Sequence, residues 1–133
     1  MTQTWWFDLD GTLTDSMAAT SLRPFTIELL ESLRAAGHRI VMWSAGGDDY
    51  ARRVCERIDI AQYFEAFHTK ERGPDGRWVL PALDGDVGET VCVDDQIDGV
   101  PRWVRTIRVF PYLGHNPHDR SLEAVIAEAR RAE

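Results

Sequence analysis

Short apolar runs, each closed by polar or acidic residues, alternate along the chain with segments of helical period. Thr4-Trp5-Trp6-Phe7 is continuously apolar after its first residue and stops at Asp8, the pattern of a strand buried on both faces. Gly11 to Thr20 is rich in Gly, Thr, Ser and Asp and reads as loop. From about Pro24 to Ala36, the residues Phe25, Leu29, Leu30 and Leu33 recur at helical spacing, with proline in the first turn and Gly37 as the stop. Arg39 to Trp43 is the second strand, ending at Ser44-Ala45-Gly46-Gly47. A second helix is expected from Asp48 as its N-cap, with Tyr50, Ala51, Val54, Cys55 and Ile58 as the apolar stripe.

Phe64 to His68 predicts a third strand, and Gly73-Pro74-Asp75-Gly76 a turn, with Trp78-Val79-Leu80 as a hairpin arm. Thr90 to Val93 is a further strand that ends at Asp94-Asp95. Pro101 to Val104 is expected to be helical and Thr106 to Phe110 to form the last strand. Asp119 or Ser121 caps a C-terminal helix carrying Leu122, Val125, Ile126 and Ala129.

Alternation of this kind predicts an α/β domain with a mostly parallel sheet and right-handed crossovers. Such sheets bind ligands at the carboxyl ends of their strands. Asp8, Ser44, Lys70 and Asp94-Asp95 each fall at or just past a predicted strand end. The polar groups of four strands are therefore expected to face one crevice.

Composition narrows the picture without redirecting it. The chain has 133 residues, 44% of them apolar and 28% charged, as expected for one folded domain spanning 1–133. No apolar run approaches the roughly 20 residues that cross a bilayer. Met1 to Phe7 lacks a basic leader region and runs into Asp8 and Asp10, so no signal peptide and a cytoplasmic location are expected. Cys55 and Cys92 form no close pair, and buried free thiols are expected. A net charge of −7 disfavours broad binding to nucleic acid or anionic membrane. The basic residues comprise 14 arginines and a single lysine, Lys70. A compact ammonium fits among crowded carboxylates where a planar guanidinium needs more room.

Asp8-Leu9-Asp10-Gly11-Thr12-Leu13-Thr14-Asp15 resembles the first motif of the haloacid dehalogenase-like superfamily. Ser44, Lys70 and Asp94-Asp95 then stand in the order of its remaining motifs, so the resemblance spans essentially the whole chain. It implies a Rossmann-like three-layer sandwich and a magnesium-dependent phosphatase acting through an aspartyl-phosphate intermediate. By that resemblance Asp8 is the nucleophile, and Asp10 is the acid for the leaving oxygen and then the base for water. Mg2+ would be held by the Asp8 carboxylate, the Asp10 carbonyl and Asp95, with Asp94 acting directly or through water. Lys70 would pair with Asp8 and with phosphate oxygens. Ser44 would bind a phosphate oxygen, and the backbone N–H groups of Ala45, Leu9 and Gly11 would add donors.

Asp15–Pro24 and Ser44–Lys70 are too short to hold a cap domain, so an open site is expected, suited to large substrates or to small ones enclosed by an oligomeric neighbour. Two runs, Leu22-Arg23-Pro24-Phe25 to Tyr63-Phe64 and Val109-Phe110-Pro111-Tyr112-Leu113-Gly114 to Leu122, resemble the phosphatases acting on the C-terminal domain of RNA polymerase II, the NLI-interacting-factor-like group, and their bacterial relatives. Those enzymes usually carry glutamate where this chain has Gly11. Polynucleotide 3′-phosphatase domains share its Asp-Gly-Thr form. Phosphoproteins, polynucleotide ends and small phosphate esters thus all stand as substrates. A phosphotransferase and a non-catalytic phospho-ligand module on the same fold are the alternatives. Asp98 is expected to cap a helix or to support the metal site from behind, Thr14 and Asp15 to be structural, Trp43 to be core, and Trp5 and Trp6 to be core or sheet edge. The four histidines show no ligand spacing.

Overall fold

The computed structural model describes residues 2–131. Five parallel strands make the central sheet: β1 (Gln3–Phe7), β2 (Arg39–Ser44), β3 (Ala66–Thr69), β6 (Glu89–Asp94) and β7 (Arg105–Arg108). A small antiparallel hairpin, β4 (Glu71–Arg72) with β5 (Trp78–Val79), stands outside it. The helices are α1 (Thr26–Ala35), α2 (Asp48–Arg57) and α3 (Ser121–Arg131), with a single 3-10 turn over Ala61–Tyr63. No helix of the described residues is long and apolar enough to cross a membrane.

Strand order is β3-β2-β1-β6-β7. The chain therefore leaves β1 in one direction for β2 and β3, then returns across it to β6 and β7. With right-handed crossovers, reversing direction moves the connection to the opposite face. The packing follows that rule. On one face Trp5, Phe7, Met42, Val91 and Val93 pack with Leu29, Leu30 and Leu33 of α1, Val54 and Cys55 of α2, and Leu122 and Val125 of α3. On the other, Trp6, Val41, Trp43 and Cys92 pack with Val100 and Val104 and with Trp78, Leu80 and Leu83. Alternate residues of β1 thus serve opposite cores, and the whole strand is buried.

The third layer differs from expectation. Pro101 to Val104 forms turns, not a helix, and the second face is covered by the hairpin and irregular segments. A four-residue stretch with an initial proline and a β-branched valine at its end cannot nucleate a stable helix alone. Asp48 is the first residue of α2, with Gly47 at the cap position, and its carboxylate accepts the N–H of Asp49. Asp119 accepts the N–H of Ser121 ahead of α3. Cys55 and Cys92 are buried free thiols, both pushed up to about 12 by burial. Trp5 and Trp43 are fully buried.

Candidate active site

The point where the strand order reverses lies between β1 and β6, and a crevice opens at their carboxyl ends. It is a cavity of about 470 Å³ bordered by Asp8, Asp10, Ala45, Lys70, Asp94 and Asp95. Asp8 continues the ladder past β1, its N–H donating to the carbonyl of Val93 at 3.1 Å. The sharp turn that follows converges on one acceptor: the Leu9 carbonyl receives the N–H groups of Thr12, Leu13 and Thr14 at 3.1, 2.9 and 3.1 Å.

That turn aims the Thr12 hydroxyl at Asp8, 2.9 Å from its Oδ2. The same oxygen accepts the Asp95 N–H at 3.1 Å and lies 3.3 Å from Asp95 Oδ1. Thr12 therefore links the first and last motifs. Gly11 has φ +81° and takes a left-handed conformation. A Cβ there would stand 2.6 Å from Asp95 Oδ2, so its missing side chain is what lets that carboxylate close over the turn. Its N–H is committed to the Thr14 carbonyl at 2.8 Å. In this arrangement Gly11 contributes space and backbone shape.

Lys70 follows β3 and is nearly buried. Its N–H donates to the Ser44 carbonyl at 2.9 Å, tying it to the end of β2. Its ammonium donates to Asp94 Oδ2 at 2.5 Å and Asp8 Oδ1 at 3.4 Å. Burial alone would lower the lysine, but Asp8 and Asp94 outweigh it and leave the pKa raised, so the charge persists. Asp94 also accepts the Gln96 N–H through Oδ1 at 2.9 Å. Both its oxygens are thus engaged. Burial pushes the Asp8 carboxyl well up from the ordinary range; Lys70 opposes this, and Asp94 and Asp95 reinforce it.

Ligating oxygens of Asp8, Asp94 and Asp95 lie within 4.8 Å of one another. Three carboxylates against one ammonium leave an excess of negative charge in a partly desolvated site. Such an oxygen-only donor set suits a hard divalent cation, whose binding would relieve that excess. The residues present fit a magnesium-type ion.

Asp10 points its carboxyl to Tyr50 of α2, whose hydroxyl donates to Oδ1 at 2.8 Å. Burial raises the Asp10 carboxyl, the tyrosine lowers it, and Asp15 and Asp95 raise it again, for a net upward shift. Burial and Asp10 push the Tyr50 phenol up to about 12, so it stays a donor. Ser44 is buried and its Oγ accepts the Gly46 N–H at 3.1 Å. Asp98 borders the crevice but caps no helix, since none forms beside it.

Beneath the turn lies Arg23, with a side chain of 0% exposure. It forks onto Asp119 through Nε at 2.8 Å and Nη2 at 3.1 Å, and donates to the carbonyls of Gly11, Thr12 and Phe110. Asp15, also buried, accepts the N–H groups of Ala18, Thr20 and Ser21 and so shapes the loop after the motif, a structural role as expected. Thr12, Tyr50 and Arg23 carry no role in the sequence reading. The Asp-Gly-Thr string signals Thr12; Tyr50 resembles any other member of the α2 stripe.

Arg72 and Trp78 border the crevice, with the Arg72 guanidinium 4.1 Å over the Trp78 ring. Trp78 also bounds an outer groove of about 540 Å³ with Arg77, Val79, Arg102 and Trp103.

Comparison with known proteins agrees with this geometry. A family model described as NLI interacting factor-like phosphatase matches residues 4–132. No curated protein matches. Among solved structures, an uncharacterized protein from Listeria monocytogenes serotype 4b is similar, with 17% identity, 97% of each chain covered and a TM-score of 0.64. At that identity the likeness extends to the fold alone.

Proposed function

This chain belongs to the NLI interacting factor-like phosphatases, a haloacid dehalogenase-like family, and from that premise we propose that it hydrolyses phosphate monoesters at Asp8 with magnesium. The observation that carries this reading is the meeting of Asp8, Asp94, Asp95 and Lys70 at one crevice.

An Asp8 carboxylate oxygen attacks phosphorus as the ester P–O bond breaks. Asp10, protonated at that stage, gives its proton to the departing oxygen, which leaves as an alcohol. Water then attacks the phosphorus of the resulting aspartyl phosphate while Asp10 accepts a proton, and the bond to Asp8 breaks to release phosphate. Lys70 holds Asp8 in place and offers positive charge to the transferring oxygens. The Ser44 hydroxyl and Ala45 N–H bind the phosphate. Thr12 keeps Asp8 turned toward the crevice. Asp8, Asp95 and the Asp10 carbonyl would hold the ion, with Asp94 beside them steadying Lys70; when bound, it neutralises charge between nucleophile and phosphate.

We assign the reaction to a single domain over 1–133 that works without a cap. The segments where caps would insert hold only the loop from Asp15 to Pro24, and α2, the 3-10 turn and β3 between Ser44 and Lys70. The rim at Arg72 and Trp78, shared at Trp78 with a groove bearing Arg77, Arg102 and the exposed Trp103, favours a bulky phosphorylated partner. Phosphoprotein is the reading this rim supports best. The buried thiols are compatible with a cytoplasmic setting.

The test is phosphate release from an aryl phosphate with magnesium and with a chelator. Release should require the ion, disappear in Asp8→Asn and fall at least ~100-fold in Asp10→Asn. Turnover by Asp8→Asn at the parent rate excludes the covalent route, and indifference to the chelator excludes the ion.

A further inference from the structure

We propose that Tyr50 is a positioning residue for the Asp10 carboxyl and thereby sets how poor a leaving group this enzyme can expel. The inference rests on the reading of Asp10 as the leaving-group acid.

A carboxylic acid has one oxygen that accepts and one that carries the proton. Tyr50 Oη donates to Asp10 Oδ1 at 2.8 Å from a residue 40 positions away. Among the described residues no other group hydrogen-bonds that carboxyl. With Oδ1 occupied as an acceptor, the proton of the neutral acid belongs on Oδ2. The tyrosine therefore selects the oxygen that donates and fixes the plane of the group. Asp10 borders the crevice, so the selected oxygen serves the substrate side.

The tyrosine is itself held. It sits in the first turn of α2, directly after the phosphate-binding turn, and its ring lies against Gly46. A Cβ at Gly46 would stand 2.9 Å from the ring Cδ2, a separation that real side chains do not tolerate. Absence of a side chain at Gly46 thus lets the ring come close enough for its hydroxyl to reach Asp10. One short turn, Ser44 to Gly47, serves both phosphate and acid.

Proton donation matters most when the departing oxygen is basic and least when it leaves readily as an anion. That distinction separates positioning from general damage. The experiment measures kcat/KM with magnesium for phosphate esters running from 2,4-dinitrophenyl through phenyl to alkyl, in the parent, Y50F, D10N and the double variant. Y50F keeps the ring and removes only the hydroxyl. It should lose about tenfold at the alkyl end and under about twofold at the dinitrophenyl end, one hydrogen bond's worth of alignment. In the D10N background the same change should add less than about twofold. A uniform loss across the series, or none, overturns the role of Tyr50. A D10N variant whose losses do not depend on the leaving group overturns the acid assignment itself, whatever Y50F does.

Discussion

Replacing Arg23 with methionine tests whether the turn after Asp8 is held from below. The guanidinium is fully buried and its fork grips Asp119 while three carbonyls, of Gly11, Thr12 and Phe110, take the remaining donors. Removing one partner of a buried ion pair costs about 3–5 kcal/mol, chiefly because the other is stranded. Two features lower that figure. The Asp119 side chain is 14% exposed and can recover water, and methionine refills much of the volume. About 3 kcal/mol is expected, which for a domain of this size lowers Tm by roughly 10 °C. Urea unfolding should report the same loss through its midpoint with an unchanged slope. In a cycle with Asp119→Asn, the two changes should be strongly non-additive, with ~1–3 kcal/mol of coupling. At temperatures where the variant remains folded, kcat should still fall about tenfold, because the turn that aims Thr12 at Asp8 loses its support. A loss below ~1 kcal/mol with additive behaviour would refute this account of the turn.

Thr12→Val keeps shape but removes the hydroxyl shared by Asp8 and the Asp95 N–H; stability should drop by about 1–3 kcal/mol and kcat by at least ~10-fold, both checked on purified protein, and a parent-like rate would exclude the link. Asp15→Asn should lose acid-sensitive stability. Burial works to raise the Asp15 carboxyl, but the N–H groups of Ser21, Ala18 and Thr20 outweigh it and hold it below the ordinary value. Its stabilisation is therefore full above the unfolded value, about pH 4, and fades as pH falls through the lower folded value. The gap between parent and Asp15→Asn urea midpoints should be open at pH 7 and narrow by pH 3; a gap that widens on acidification contradicts the assignment.

Most of the framework was legible in the chain because the buried strands are short, apolar and closed by charged residues. Trp5-Trp6-Phe7 before Asp8 and Val91-Cys92-Val93 before Asp94 announce two buried strands by composition alone, and the structure pairs them in parallel. The convergence of Asp8, Lys70 and Asp94 followed from a general property of parallel sheets. What escaped were side chains whose roles contradict their type. Arg23 is charged yet wholly buried, and only long-range partners such as Asp119 make that tolerable. Tyr50 satisfies a helical stripe through its ring while its hydroxyl answers to Asp10. The stretch from Val100 to Val104 buries both valines as a helix face would, yet it does so in turns. The Gly11 N–H was consumed by the turn that its own flexibility allows.

The placement of β1 at the middle of the sheet divides the molecule into parts of unequal permanence. Its neighbours on either side, β2 and β6, bond it along its length, so its amides can open only when the whole domain does. The hairpin β4–β5 pairs Glu71 with Val79 and Arg72 with Trp78; Trp78 anchors it to the second core, while its exposed tip at Asp75 and Gly76 can open with the rest intact. The tip of the hairpin can therefore breathe without disturbing Asp8 at the end of β1. The crevice and the hairpin tip beside it thus draw on different reserves of stability.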